Sequence, residues 1–321
     1  MSEAPSSKVL HGPMYDRRFV LVTGKGGVGK STVSALLAAH AAARGRRTLV
    51  CELNAVERIP ALFGRSPVGP TVTALRENLW GVNIQPAQAL EEYAQMKLRV
   101  RAVARLVFDN PFVQRFMQLV PGMNDLLLLG KAFNHEREVD ASGRPVWDTI
   151  VVDAPATGHG VTFFRLPRVI RDHVPVGNMH DEARDMWNLL TDPARTATHL
   201  VTLPEELPVQ ETRELAHTLF SKDMGLPPGA LWLNQVPPPL FDADSRARIG
   251  AGPPTGASKA LDAAFEVARI RLGREAQAQA YLTPLKALGL PLVTLPLLYT
   301  RDLGPAELET LLARAGDGGT A

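Results

Sequence analysis

The chain of 321 residues contains one cysteine, Cys51. A single thiol excludes an intramolecular disulfide, and it excludes zinc or iron-sulfur sites built on paired cysteines of one chain. Long apolar runs are also missing. No stretch of about eighteen apolar residues is available to span a bilayer, and residues 1–18 lack the apolar centre of a secretory leader. An integral membrane protein is therefore not expected, and the reading is cytoplasmic. Charge of one sign is scarce: Lys and Arg number 35 against 33 Asp and Glu, a formal net charge of +2. Nucleic-acid binding leaves a concentrated basic footprint, and no such stripe is present, so no nucleic-acid partner is expected. There is no internal repeat, and biased composition is confined to proline-rich turns such as residues 237–239.

What is present is an alternation of short apolar runs with helical patterns. Residues 18–23 (RFVLVT) form an apolar, β-branched run stopped by glycine, the pattern of a buried parallel strand. Residues 31–44 read as a helix, with Gly45 as C-cap and Arg44 favourable at the negative end of its dipole. Residues 48–53 (TLVCEL) supply the next strand and complete a right-handed βαβ unit. Further strands are expected at 148–153, 199–203, 230–233 and 292–295. Residues 87–138 hold no convincing strand and read as a helical insertion, and a second helical segment is expected over about 165–195, clearest at 181–190. A long alanine-rich helix is expected at 257–288. The predicted fold is α/β: a doubly wound, mostly parallel sheet flanked by helices, with a helical insertion. The boundaries read as a flexible arm over 1–17, one phosphate-loop domain over 18–315, and a tail over 316–321.

The spacing G-x4-G-K-S is met by Gly24, Gly29, Lys30 and Ser31, directly after the first strand and at the start of the first helix. In that context it reads as a phosphate-binding loop running through Gly24, Lys25, Gly26, Gly27, Val28, Gly29, Lys30, Ser31 and Thr32. Glycines let backbone N–H groups turn inward around phosphates, Lys30 can reach the β and γ phosphates, and the Ser31 hydroxyl can ligate Mg²⁺. The expected cofactors are ATP and Mg²⁺. Lys25 is unusual because its side chain can project away from its own nucleotide toward a facing subunit. An amine delivered in trans would neutralise charge developing during phosphoryl transfer and make dimer closure depend on ATP. The plainer alternative is a solvated loop lysine.

GKGGVGKST resembles the deviant phosphate loop shared by partition, division-site, nitrogenase iron-protein and arsenite-pump ATPases of the SIMIBI class. The segment DAPATGHGVTFFRLP, beginning at Asp153, resembles the DTAPTGHTLRxLxLP switch of the arsenite-pump and tail-anchored-protein targeting ATPases. PGMNDLLLLGKAF at Pro121, THLVTLPEELPVQET at Thr198, WLNQV at Trp232, and QAYLTPL followed by LPLL match in the same order. The resemblance covers most of the chain from Phe19 to Leu298. It implies that Asp153 holds Mg²⁺ through a bound water and that the following Ala-Pro-Ala-Thr-Gly responds to the γ-phosphate. It also implies that Gly158 and His159 are the switch's Gly-His, that Asn234 reads the adenine edge, and that Glu205 and Pro296 lie near the nucleoside. For Glu205 a helix-start acid is the equal alternative.

One position departs from the family pattern. Relatives carry an aspartate in a STDPAHNL-like first switch, placed to orient the attacking water, and aligning VCELNAVERIPALF from its closing phenylalanine puts Asn54 there. An amide cannot accept a proton as a carboxylate can, and loss of such a group lowers turnover by roughly 10²–10⁴. Slow or absent hydrolysis is expected, with Glu52 and Glu57 as the nearby carboxylates that could substitute. CELNAVERIPALFG also resembles a bacterial branch with tandem paralogues, which leaves two partners open: a homodimer, or a heterodimer with a paralogous ATPase. Arsenite would need several soft thiolates, which Cys51 alone does not supply, and a zinc clasp between subunits is excluded on the same ground. The leading expectation is an ATP-gated switch for a hydrophobic or membrane-protein client. Met96, Phe112, Phe116, Met117 and Met123 would suit a deformable groove, although residues at this spacing equally suit a core. The alternative is a non-hydrolysing, nucleotide-stabilised scaffold subunit paired with a catalytic paralogue. DNA positioning of the partition kind is disfavoured by the missing basic surface.

Overall fold

A computed structural model describes residues 10–98, 122–155, 160–174 and 176–317. Its strands, in chain order, are β1 (Phe19–Gly24), β2 (Thr48–Leu53), β3 (Thr73–Arg76), β4 (Leu79–Ile84), β5 (Thr149–Asp153), β6 (Thr196–Thr202), β7 (Pro228–Val236), β8 (Leu292–Pro296) and β9 (Gly316–Asp317). They form one sheet in the order β3-β4-β2-β5-β1-β6-β7-β8-β9. The seven inner strands are parallel, and only the edge pairs β3–β4 and β8–β9 are antiparallel. The expected mostly parallel, doubly wound α/β sheet is what the chain forms.

Alternation along the strands sorts side chains onto two faces. Phe19, Leu21, Leu49, Cys51, Ile150 and Val152 join one core, while Val20, Val22, Val50 and Val151 join the other. The second core is closed by α1 (Lys30–Ala43), α2 (Ile59–Leu62) and the C-terminal helix α10 (Pro305–Arg314). The first is closed by α4 (Met123–Arg137), α5 (Gly160–His173), α6 (Asn178–Thr191), α7 (Glu206–Leu219) and the end of α9 (Lys259–Lys286). Helix α3 (Pro86–Leu98) and α4 occupy the described ends of the stretch read as a helical insertion, and the small helix α8 (Ala243–Ala251) precedes α9. Because alternate residues share a face, Glu52 and Asp153 point to the α1 side with Val50 and Val151.

The structure corrects two expectations. Strands β3, β4 and β9 were not expected. In β4, LWGVNI, the interior glycine and asparagine look like a turn, but Gly81 sits in the strand with Leu75 of β3 packed over it, where a Cβ would lie 2.9 Å from Leu75 Cδ1 and would push that side chain aside. The arm is not loose from residue 10 onward. Leu10 and Tyr15 are buried, the Tyr15 ring stacks on His199 with centroids 5.6 Å apart, and Asp16 pairs with Arg44 and Arg46 at 3.4 and 3.6 Å. An aromatic side chain with a core face to cover outweighs the polar composition around it.

Candidate nucleotide-binding site

The parallel strands bring their carboxyl ends to one edge of the sheet, with β5, β2 and β4 to one side of β1 and β6, β7 and β8 to the other. In a doubly wound sheet, ligands bind at such a reversal of strand order. Residues 24–32 lie there, between β1 and α1.

Backbone conformation explains the glycines that matter most. Gly24 and Gly29 have φ of 153° and 95°, a region that side chains strain to occupy. A Cβ on Gly24 would lie 2.3 Å from the Val201 carbonyl oxygen, and one on Gly29 would lie 2.1 Å from Asn234 Nδ2. The loop is thus packed directly against the ends of β6 and β7. Asn234, buried at the end of β7, donates from Nδ2 to the Val28 carbonyl at 2.9 Å, and its Oδ1 accepts from Gln235 N at 2.9 Å. The amide expected to read an adenine edge is here engaged at both ends, one of them holding the phosphate loop.

Three expected residues converge at the start of α1. Ser31 Oγ donates to Asp153 Oδ2 at 2.6 Å, and Lys30 Nζ donates back to the Lys25 carbonyl at 3.0 Å. A fourth was missed: Ser34 Oγ donates to Asp153 Oδ1 at 3.2 Å. It follows Ser31 by three residues on the same helical face, so spacing alone could have found it. Burial raises the Asp153 pKa, against the Ser31 hydrogen bond, the Lys30 charge and the Ser34 hydrogen bond. Burial likewise lowers the Lys30 pKa, and Asp153 opposes it. A buried carboxylate that its own protein does not fully compensate, beside a serine hydroxyl, is an oxygen donor set that fits a hydrated divalent cation, and the neighbouring ammonium fits phosphate.

Lys25 lies on the loop with its Nζ 2.8 Å from Glu211 Oε1 of α7, and both side chains are part-exposed. The partner is 186 positions away, and nothing in the local sequence announces it. Such a half-exposed pair contributes about 0–1 kcal/mol, so the lysine is released from it at small cost.

In the segment expected to be a first switch, Asn54 follows β2 with φ 47° and an exposed side chain, its N–H donating to the Ile84 carbonyl at 2.8 Å. The two nearby carboxylates are separated by the fold. Glu57 accepts from Val68 N at 2.5 Å, Gly69 N at 2.9 Å and Asn83 Nδ2 at 3.4 Å, so it is committed to the loop before β3. Glu52 lies opposite Asp153 in the strand register and accepts from Arg58 N at 2.8 Å and Ile59 N at 3.3 Å. Burial pushes its pKa up to about 7 against those two hydrogen bonds.

Glu205 is exposed at the N-cap of α7 and makes no side-chain cap, and Pro296 ends β8 opposite Val236. Both sit on the site's edge of the sheet; among the described residues, no side-chain hydrogen bond joins Glu205 to the loop. Thr157, Gly158 and His159 lie outside the described residues, as do Phe112, Phe116, Met117 and the side chains of Met96 and Met123. Among the described residues, no helix is long and apolar enough to cross a membrane.

Comparison with known proteins points the same way as this geometry. The family profile described as Anion-transporting ATPase matches residues 17–176. ATPase BagA of Mycobacterium tuberculosis is 35% identical over 242 residues, covering 73% of this chain and 70% of that protein. A putative arsenical pump-driving ATPase of Halobacterium salinarum is 27% identical over 271 residues, 77% of this chain and 40% of that protein. ATPase GET3 of Kluyveromyces lactis is 23% identical over 254 residues, 68% of this chain and 72% of that protein.

Proposed function

Because the chain belongs to the arsenite-pump and targeting ATPase family, we propose that it is a dimeric ATP-binding switch whose own hydrolysis is slow. The observation that carries the reading is the convergence of Lys30, Ser31 and Asp153 under the glycine loop, with serine and carboxylate oxygens 2.6 Å apart. Lys30 binds the β and γ phosphates, and Ser31 with Asp153 holds Mg²⁺. Bound Mg²⁺ supplies neutralisation of charge on the phosphate oxygens during transfer. Asn234 fixes the loop from below, so the phosphate cradle is preorganised before nucleotide arrives.

Lys25 leaves Glu211 and reaches the phosphates of a facing subunit, which ties closure of the dimer to ATP. The side chain at the water-orienting position is the Asn54 amide, which cannot take a proton, and Glu57 is already committed elsewhere. That commitment favours a second reading, in which the chain is a nucleotide-stabilised subunit and a paralogue carries the catalytic carboxylate. The client, in either case, is a hydrophobic or membrane-protein segment handled in the cytoplasm.

Sedimentation of the purified chain with ATP and Mg²⁺ tests the switch. The wild type is expected to dimerise on nucleotide addition, whereas Lys25→Ala is expected to bind ATP and stay monomeric. Equal dimerisation of both would remove the role in trans.

A further inference from the structure

Strand β7 is irregular at the loop-bearing edge of the sheet. Its pairing with β8 runs Leu233↔Thr294 and resumes at Val236↔Pro296, so Asn234 and Gln235 together oppose Leu295. One residue is extra, and side-chain direction identifies it. Leu233 joins the first core and Trp232 the second, so Asn234 continues the α1 face, where it meets the phosphate loop. Simple alternation sends residue 235 to the first core, but Val236 packs there instead and Gln235 is exposed. Its backbone is left-handed, with φ 58°, a conformation that glutamine adopts only at a cost. Bulges are rare between parallel strands, and beside a site they re-aim a side chain.

The bulge is held on both sides. Gln235 N donates to Asn234 Oδ1 at 2.9 Å, and Asn234 Nδ2 donates to the Val28 carbonyl at 2.9 Å, so two hydrogen bonds join Gln235 to the phosphate loop. Toward β8, Leu297 N donates to the Val236 carbonyl at 2.8 Å. The backbone that carries the Gln235 amide is therefore fixed before a ligand arrives.

The direction of a bound nucleotide follows from the metal-binding oxygens. Ser31 and Asp153 lie on the β5 side of β1, and Mg²⁺ bridges the β and γ phosphates, so the γ end points toward β5. The nucleoside end then lies over β6, β7 and β8, the side on which Gly24 and Gly29 pack against Val201 and Asn234. Asn234 is buried and already holds the loop. Gln235 is an exposed amide at that end, and its donor and acceptor match the N6 and N7 edge of adenine. Guanine offers two acceptors there and matches a single amide less well.

We infer that Gln235, carried out of the strand by the β7 bulge, is the side chain that selects adenine, while Asn234 supports the loop beneath it. Selection by Gln235 rests on the nucleotide-binding reading above and adds what that site does with the base.

Competition binding of ATP, GTP and inorganic triphosphate, each with Mg²⁺, tests this assignment. Gln235→Gly removes the amide and suits the left-handed backbone, so the bulge is kept. The variant is expected to weaken ATP binding about tenfold and to leave GTP and triphosphate within about twofold of wild type. Asn234→Ala is expected to weaken all three alike, because it loosens the loop. Unchanged ATP binding by Gln235→Gly, or an equal loss for ATP and triphosphate, would overturn the assignment. So would an Asn234→Ala variant that loses ATP alone, since the base would then be read by Asn234. A wild type that binds neither ATP nor triphosphate would defeat the nucleotide-binding reading itself, and the assignment with it.

Discussion

The glycine-rich loop after β1 and the segment after β2 follow two strands of the same sheet, separated only by β5, yet they are held by opposite means. The loop is fixed by backbone: glycines at positive φ, and Asn234 and Val201 packed where side chains would otherwise go. The segment after β2 is fixed by carboxylates, with Glu52 on Arg58 and Ile59 and Glu57 on Val68 and Gly69. A loop built by backbone geometry needs no carboxylate of its own to hold its shape. A loop built by acids uses them up, and a carboxylate near the site cannot be counted as a base until its partners are known.

The largest break in this comparison is expected at the loop's charge. Lys30→Ala removes the half-buried ammonium and is expected to lower ATP affinity by about 10³-fold, about 4 kcal/mol, in a fluorescence titration. Gly29→Ala tests the backbone rule: with φ 95° and Asn234 Nδ2 at 2.1 Å from the new Cβ, denaturant unfolding is expected to show a loss of roughly 3–4 kcal/mol. Adding Asn234→Ala should return part of that loss, because the two sites share one contact.

Glu52 tests the carboxylate rule through pH. Its pKa is raised from 4.5 to about 7, so the folded chain keeps a proton that the unfolded chain releases. The resulting stability is fully present below about pH 4.5 and is lost as pH rises through about 7, a change of about 3 kcal/mol. Glu52→Gln, measured in chelator, should flatten that slope, and an unchanged slope would mean that Glu52 does not titrate as its burial dictates. The smallest effect is expected at Glu211→Ala, less than about 1 kcal/mol of stability, since its pair with Lys25 is part-exposed.

Legibility in the sequence followed the same division. The strands β1, β2 and β5 and helix α1 stand out because short β-branched apolar runs, and an alanine- and leucine-rich run between the first two, leave few alternatives. The loop stood out because its glycines, lysine and serine have a fixed spacing. Strand β4 did not, because the glycine and asparagine inside it make sense only against Leu75 and against Ala55, whose N–H and carbonyl pair with the Asn83 side chain at 3.3 and 2.9 Å. Asn234 was readable as a strand-end amide, but not its direction, which depends on a loop 206 positions away. Glu52 and Glu57 were equivalent on paper, and only the strand register and the loop at residues 68–69 separate them.

Asn54 concentrates the central claim. Its left-handed backbone is one that aspartate also tolerates, so Asn54→Asp changes the chemistry with little strain. Single-turnover conversion of ATP by excess protein with Mg²⁺ is the direct measurement. ATP on the wild type is expected to stay intact while the variant converts it roughly 10²–10⁴ times faster. A wild type that converts bound ATP as fast as Asn54→Asp would contradict it.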